Sequence, residues 1–268
     1  MKLGFIGAGN MGSAIFKGFI AKGKADGRDI YITRKNKEAL AVQAKELGVN
    51  PCESNCDVVK ASDIVFLAVK PIMFKEVLGE IRSELKSKMP LVVSMAAGIS
   101  TEDIEESLDI KGLKVVRIMP NVNAQVAMSV TGICGGKSTS GEDISLVEEL
   151  FQAIGTTALV PEKQFAIFSA IAGCSPAYVY MFINALAEGA LKAGMNKNAA
   201  VEIAAGAVMG SAKMVLESGK HPEVLCDMVC SPGGTTIEGV CTLKERAFES
   251  AVIEAVSKSV WKDAQLNK

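Results

Sequence analysis

Histidine is almost absent: His221 is the only one in 268 residues. That scarcity excludes a second imidazole-based site, and because Pro222 follows His221, a helix cap or loop role is the favoured reading of that residue. The seven cysteines, Cys52, Cys56, Cys134, Cys174, Cys226, Cys230 and Cys241, contain no C-x-x-C pair. With one histidine, the usual ligand spacing for zinc or iron–sulfur centres is missing. Charge of one sign is also missing. Lys and Arg total 29 against 30 Asp and Glu, a net charge of −1, and no basic run interleaved with aromatics suggests nucleic acid. No uninterrupted apolar stretch reaches membrane-spanning length; the longest apolar region, Ala199–Val215, is broken by Glu202, Lys213 and several glycines. Nor does the apolar N-terminus read as a signal peptide, since glycines interrupt it and no small-residue cleavage site follows. Reduced thiols in a cytoplasm are therefore expected. Cys226 and Cys230, one helical turn apart, read as packed small hydrophobes rather than a redox pair.

What is present is a core-building composition, 49% hydrophobic, enough for one large domain or two small ones. The chain opens with a strand, Met1–Ile6, that runs into Gly7-Ala8-Gly9-Asn10-Met11-Gly12. This is a G-x-G-x-x-G loop with a strand before it and helical apolar spacing after it (Ile15, Phe19, Ile20). Gly7 permits the tight turn, Gly9 lets backbone approach a pyrophosphate, and Gly12 lets helix and strand pack closely. Free N–H groups at the helix start would receive the phosphates. About 20 residues on, an NAD-selective fold carries an acid for the ribose 2′-hydroxyl. Here the strand Asp29–Ile32 ends in Thr33-Arg34-Lys35: a hydroxyl and two cations, suited to the extra phosphate of NADPH. The plainer alternative is a solvated charge cluster opening the helix Asn36–Leu47.

The first half alternates strands and helices. Strands are expected at Gly48–Asn50, Asp63–Val69, Leu91–Met95 and Lys114–Met119, with later edge strands at Val126–Cys134 and Thr156–Val160. Helices are expected from Lys70-Pro71 to about Leu85, from a Thr101 cap through Leu108, and near Asp143–Ile154. The pattern predicts an α/β, mostly parallel, doubly wound sheet over residues 1–160. After Pro161 no convincing strand appears, so 161–268 reads as an all-α domain. Ser175-Pro176 looks like a cap and first position for a helix to about Lys192, with Gly194 as its stop. That helix is apolar nearly all round (Tyr178, Val179, Met181, Phe182, Ile183, Leu186) and needs burial on every side. The next, Lys197–Glu217, is rich in small residues that allow close helix approach. A helical dimerisation domain is the expectation, an intrachain bundle the alternative.

Ligands of an open parallel sheet lie at the carboxyl ends of its strands. There the sequence gathers Gly7–Gly12, Ala68-Val69-Lys70-Pro71, Ala96-Ala97-Gly98 and Met119-Pro120-Asn121, and Lys70 and Asn121 could each reach a cofactor or simply satisfy loop backbone. In the second half, Cys230-Ser231-Pro232-Gly233-Gly234-Thr235-Thr236-Ile237-Glu238 offers bare glycine N–H groups and three hydroxyls before a helix, an anion nest suited to a small carboxylate. Thr235 with Glu238 is also a capping-box pattern. A site rich in hydroxyls and amides but poor in titratable groups suits hydride addition to an already protonated imine, where positioning does most of the work.

These segments resemble the pyrroline-5-carboxylate reductases across nearly the whole chain. The resemblance rests on Gly7–Gly12, Ala68–Pro71, Ala96–Gly98, Met119–Asn121, Pro176-Ala177-Tyr178, His221-Pro222 and, above all, Ser231-Pro232-Gly233-Gly234-Thr235-Thr236. It implies reduction of 1-pyrroline-5-carboxylate to L-proline by NAD(P)H, the last step of proline synthesis. It also implies a Rossmann domain, and a helical domain interlocked with its twin in a homodimer, with assembly into decamers known in the family. By matching positions, Ser231, Gly233, Gly234 and Thr235 would hold the substrate carboxylate. Thr236, with Ser231, would supply the catalytic hydroxyls, Thr236 bonding the ring nitrogen. Thr33, Arg34 and Lys35 would meet the 2′-phosphate and Asn55 the adenosine ribose; Ala68–Pro71, Ala97, Gly98 and Asn121 would line the cofactor. The chain departs from the family at Cys174-Ser175, where Ser-Gly is usual, and at Val122-Asn123, where Thr-Pro is usual. Two rival readings are a β-hydroxyacid dehydrogenase relative, which needs a catalytic lysine such as Lys192 or Lys213, and a non-catalytic NADP sensor.

Overall fold

The computed structural model describes residues 1–265. Eight strands form one sheet in the order β3-β2-β1-β4-β5-β6-β7-β8. β1 (Leu3–Ile6) is buried at every position, as an apolar strand covered on both faces must be. It pairs in parallel with β2 (Ile30–Thr33) on one side and β4 (Ile64–Leu67) on the other. β5 (Leu91–Ser94) and β6 (Val115–Met119) continue the parallel run. The crossovers carry α1 (Asn10–Ala21), α2 (Lys37–Leu47), α3 (Asn55–Ala61), α4 (Pro71–Lys88) and α5 (Thr101–Leu108). The strand order reverses between β1 and β4, and at such a switch point the strand-end loops part to leave a crevice.

Two apolar layers sandwich the sheet. On one face Phe5, Phe16, Phe19, Phe66 and Phe151 are wholly buried. Register sets Phe5 beside Phe66, and their rings stack at 4.4 Å between centroids; each such burial contributes about 1.5–3 kcal/mol. On the other face Ile6, Val65 and Leu67 meet Phe74, Leu78 and Ile81 of α4.

Several local expectations shift. The short strand β3 is Asn50–Pro51, two residues later than the sequence suggests, because Gly48 is taken by the left-handed C-cap of α2. Ser100, not Thr101, caps α5, in a reciprocal capping box with Asp103. β7 (Ser129–Gly135) starts after a 3₁₀ turn over Val122–Val126. It runs antiparallel to β6, while β8 (Gly155–Leu159), reached through α6 (Gly141–Phe151), forms the sheet's edge. Ser175 opens α8 (Ser175–Lys192) but does not cap it, because α7 (Phe165–Phe168) runs through a π-helical turn, Ser169–Cys174, straight into that helix. Gly194, at φ +100°, follows that helix as expected.

The chain divides into two compact units, Met1–Gly173 with the stretch from Val260, and Cys174–Ser259. The division therefore falls later than 160/161. Phe165 and Ala170 are buried within the first unit, which draws α7 and the π turn into it. No strand occurs after β8 among the described residues. The second unit holds α8, α9 (Lys197–Ser218), α10 (Pro222–Val229), α11 (Thr235–Glu245) and most of α12 (Phe248–Asp263). By length and composition alone two helical runs, Glu162–Lys192 and Lys197–Ser218, could cross a membrane. Neither is an uninterrupted apolar run: the first carries Glu162, Lys163, Glu188 and Lys192, and the second Lys197, Glu202, Lys213 and Glu217. Much of their apolar surface is bare in the single chain: Met181 is 73% exposed, Met209 69% and Leu216 84%.

Candidate active site

The glycine loop has the geometry its spacing implies. Gly7 adopts φ +101°, and a Cβ there would lie 2.6 Å from the Ala68 carbonyl oxygen. A Cβ on Gly12 would lie 2.6 Å from the Gly7 carbonyl oxygen, so the start of α1 sits against the loop that feeds it. Gly9 is different: a Cβ there meets nothing within 4 Å. The chain itself does not require glycine at that position; a group approaching from outside would.

Helix starts sort into two kinds. Asn36, Ser54, Ser100, Ser140, Asn196 and His221 cap α2, α3, α5, α6, α9 and α10 with their side chains. Among those that open from a turn or loop, the starts of α1 at Gly9, α4 at Lys70 and α11 at Gly234 carry no side-chain cap; α7 and α8 also lack one, but each continues a preceding helical turn. The first N–H groups of α1, α4 and α11 and the positive end of each helix dipole are left for an anion. Two of the three lie at the sheet's switch-point crevice, and the third is the Ser231–Thr236 segment.

The crevice is a cavity of about 590 Å³ in the first unit, bordered by Gly7 and Gly9, Thr33-Arg34-Lys35, Asn55, Ala68-Val69-Lys70 and Glu80. Thr33 is buried while Arg34 is half-buried and Lys35 exposed. The Thr33 carbonyl accepts from Gly7 and Ala8 N–H at 3.2 and 2.8 Å, which ties the strand end bearing the cations to the glycine loop. Thr33 Oγ1 donates to Asn55 Oδ1 at 2.7 Å, and Asn55 Nδ2 donates to Glu80 Oε2 at 2.7 Å. Pro71 occupies the first position of α4 and Lys70 stands exposed before it. Ala97 and Gly98, the latter at φ +76°, form the turn after β5.

Of the two roles the sequence left open for Asn121, its hydrogen bonds are those of the second. Its Nδ2 donates to the Ala172 carbonyl at 2.9 Å and its Oδ1 accepts from Asn123 N–H at 3.2 Å. Both ends of the amide satisfy loop backbone, so the side chain is not free for a cofactor.

In the second unit, Gly233 turns the chain at φ +67° and Gly234 N–H donates to the Ser231 carbonyl at 3.0 Å. The capping-box reading fails here: Thr235 is already inside α11, and neither it nor Glu238 caps the start. Ser231, Gly233 and Thr235 are exposed and Thr236 half-buried. His221 behaves as foreseen, its Nδ1 accepting from Glu223 N–H at 3.3 Å as the cap of α10. Sequence reasoning missed Glu80. It lies in no motif, and only the fold brings α4 beside α3.

Parallel switch-point sheet, glycine loop and cation-tipped second strand together define a dinucleotide-binding oxidoreductase. Residues 2–98 match the family described as NADP oxidoreductase, coenzyme F420-dependent, and residues 162–266 the family described as pyrroline-5-carboxylate reductase dimerisation. Pyrroline-5-carboxylate reductase of Escherichia coli K12 is 43% identical over 267 residues, covering 100% of this chain and 98% of that protein. The enzyme of Methanosarcina acetivorans is 39% identical, with coverage of 100% and 98%. Among solved structures, the pyrroline carboxylate reductase of Plasmodium falciparum with NADP bound superposes with a TM-score of 0.90 at 30% identity, covering 100% of this chain and 98% of that one. The chain belongs to the pyrroline-5-carboxylate reductase family.

Proposed function

We propose that this protein reduces 1-pyrroline-5-carboxylate to L-proline with NADPH, NADH being the alternative donor, as the final step of proline synthesis. The reading is carried by one contrast: six helices begin with side-chain caps, while among the helices that open from a turn or loop those starting at Gly9, Lys70 and Gly234 are left open, the first and last of them at glycine. The start at Gly9 suits a pyrophosphate, that at Gly234 a carboxylate.

The residues fit the cofactor. Gly9 has room for a phosphate at the α1 N–H groups. Arg34 and Lys35 would pair with the 2′-phosphate, and Asn55 borders the ribose position in the same cavity. When bound, the nicotinamide supplies the hydride. On the substrate side, the Gly233 amide and the uncapped first N–H groups of α11, with the Ser231 and Thr235 hydroxyls, would hold the carboxylate, while Gly234, its own N–H spent on the Ser231 carbonyl, would shape the turn that presents them. Thr236, one residue into α11, would donate its hydroxyl to the ring nitrogen. The neutral imine must gain a proton at nitrogen and a hydride at the adjoining ring carbon to become the amine, so a hydroxyl held at the nitrogen favours that proton's arrival as the hydride is transferred. No strong general base is needed, in keeping with a chain that has a single, cap-committed histidine.

The match to the dimerisation family over 162–266 and the exposed apolar side chains of α8 and α9 support a homodimer in which a second copy covers these faces. Further assembly into a decamer and a cytoplasmic location are inferred from the family resemblance. Membership in this family removes the hydroxyacid-dehydrogenase alternative, and Lys213, paired with Glu217 on the surface, has no catalytic setting. The test is consumption of NADPH on addition of 1-pyrroline-5-carboxylate, with proline formed in equal amount. Oxidation without proline, or none with either nucleotide, would refute the reading.

A further inference from the structure

The hydrogen-bond chain Thr33–Asn55–Glu80 has a direction, and one residue sets it. A carboxylate only accepts hydrogen bonds, so Glu80 Oε2 at 2.7 Å obliges the Asn55 amide to present its Nδ2. The other end of that amide must then be Oδ1, and it faces Thr33 Oγ1 at 2.7 Å. Two oxygens that close need a proton between them, and only the threonine has one. The Thr33 hydroxyl is therefore committed to Asn55, leaving lone pairs as its only offering to the cavity it lines with Arg34 and Lys35.

Lone pairs suit a ribose 2′-hydroxyl, which can donate to them, and oppose a 2′-phosphate, which cannot. The site thus carries two opposed elements: cations that attract the phosphate of NADPH and an acceptor that welcomes the hydroxyl of NADH. We propose that Glu80 is a specificity-determining positioning residue which, through Asn55, holds Thr33 as an acceptor and keeps NADH usable beside NADPH. This rests on the reading that the cavity holds NAD(P)H.

Replacing Glu80 with glutamine gives Asn55 a neighbour that can donate as well as accept. The amide can then turn over, offer Nδ2 to Thr33 and free the threonine proton for a phosphate oxygen. Glu80 is exposed on α4, so the exchange spares the core. The experiment measures dissociation constants of NADPH and NADH for the wild-type, Glu80→Gln, Thr33→Val and doubly substituted proteins, which requires no turnover. Glu80→Gln should shift the ratio toward NADPH by about tenfold, the scale of one hydrogen bond to a charged group; a change in packing alone would weaken both nucleotides alike. In the Thr33→Val background that shift should vanish. An unchanged or reversed ratio overturns the proposal. So does a shift of equal size without the Thr33 hydroxyl, which would mean direct charge repulsion from Glu80, and so does a wild-type protein that binds neither nucleotide. Wild-type protein that binds both but does not reduce the imine refutes the assigned reaction and leaves this ratio to decide the role of Glu80.

Discussion

Arg117 Nη1 donates to Glu162 Oε1 across 3.1 Å. The same carboxylate accepts from Thr101 N–H at 2.8 Å and Thr101 Oγ1 at 2.6 Å, and the guanidinium lies 4.6 Å over the Phe165 ring. Arg117 sits within β6 and is only 5% exposed. A charge that deep is costly without its partner. Glu162→Ala should therefore destabilise the fold by about 2–4 kcal/mol, near the lower end for a broken buried pair because the glutamate is partly exposed. Arg117→Met, which removes the buried charge itself, should cost less. Urea unfolding of both variants checks this; equal losses would contradict it.

Cys134 lies opposite Arg117 across the β6–β7 ladder. Burial, reinforced by the Glu162 charge, pushes its thiol up to about 12 from an ordinary value of 9.0. Between those two values the unfolded chain has lost a proton that the folded chain keeps, so stability falls as pH rises through that window. Cys134→Ala should show a shallower alkaline loss in urea midpoint than the wild type between pH 9 and pH 12. Parallel slopes would mean the thiol contributes nothing.

What the sequence disclosed was local. Strand–glycine–helix spacing exposed the loop at Gly7–Gly12, and the apolar, β-branched run Asp63–Val69 read as a buried strand, of which Ile64–Leu67 form β4, because both signals lie in a short local stretch of chain. Partners far apart were hidden. That Thr101 gives its N–H to Glu162, 61 residues on, left no mark on the α5 start, where the sequence points to Thr101 as the cap and Ser100 takes that place. The reversed direction of β7 was equally silent, since alternation does not encode the sense of a strand. Asn121 looked like a cofactor ligand because it is polar at a strand end; only the fold shows its amide spent on Ala172 and Asn123.

The glycine loop yields a paired prediction. At Gly9 a side chain meets nothing of the protein within 4 Å, whereas at Gly12 a Cβ would press to 2.6 Å on the Gly7 carbonyl oxygen. Gly9→Val should keep the wild-type melting temperature, dimer included, and lose NADPH binding. Gly12→Val should lower the melting temperature by several degrees, each kcal/mol lost being worth about 2–4 °C in a unit of this size, or prevent folding. Thermal unfolding with nucleotide titration separates the two, and a Gly9→Val protein that still binds NADPH would break the assignment of that space to the pyrophosphate.

In the proposed reaction Thr236 is the residue on which the chemical step turns. It follows the uncapped start of α11 and does not cap it, so its hydroxyl is not consumed in ending the helix. A donor aimed at the imine nitrogen acts where charge changes most between ground and transition state, and an interaction of that kind appears in kcat. Thr236→Ala should lower kcat by about 10²-fold, the lower range for loss of a positioned proton donor, with the dissociation constant of NADPH unchanged, since the residues proposed to hold the cofactor all lie in the first unit. Thr236→Ser keeps the hydroxyl and should recover most of the rate; Thr236→Val keeps the shape without the hydroxyl and should not. Equal activity of the serine and valine variants would show that the methyl group, not the proton, is what this position supplies.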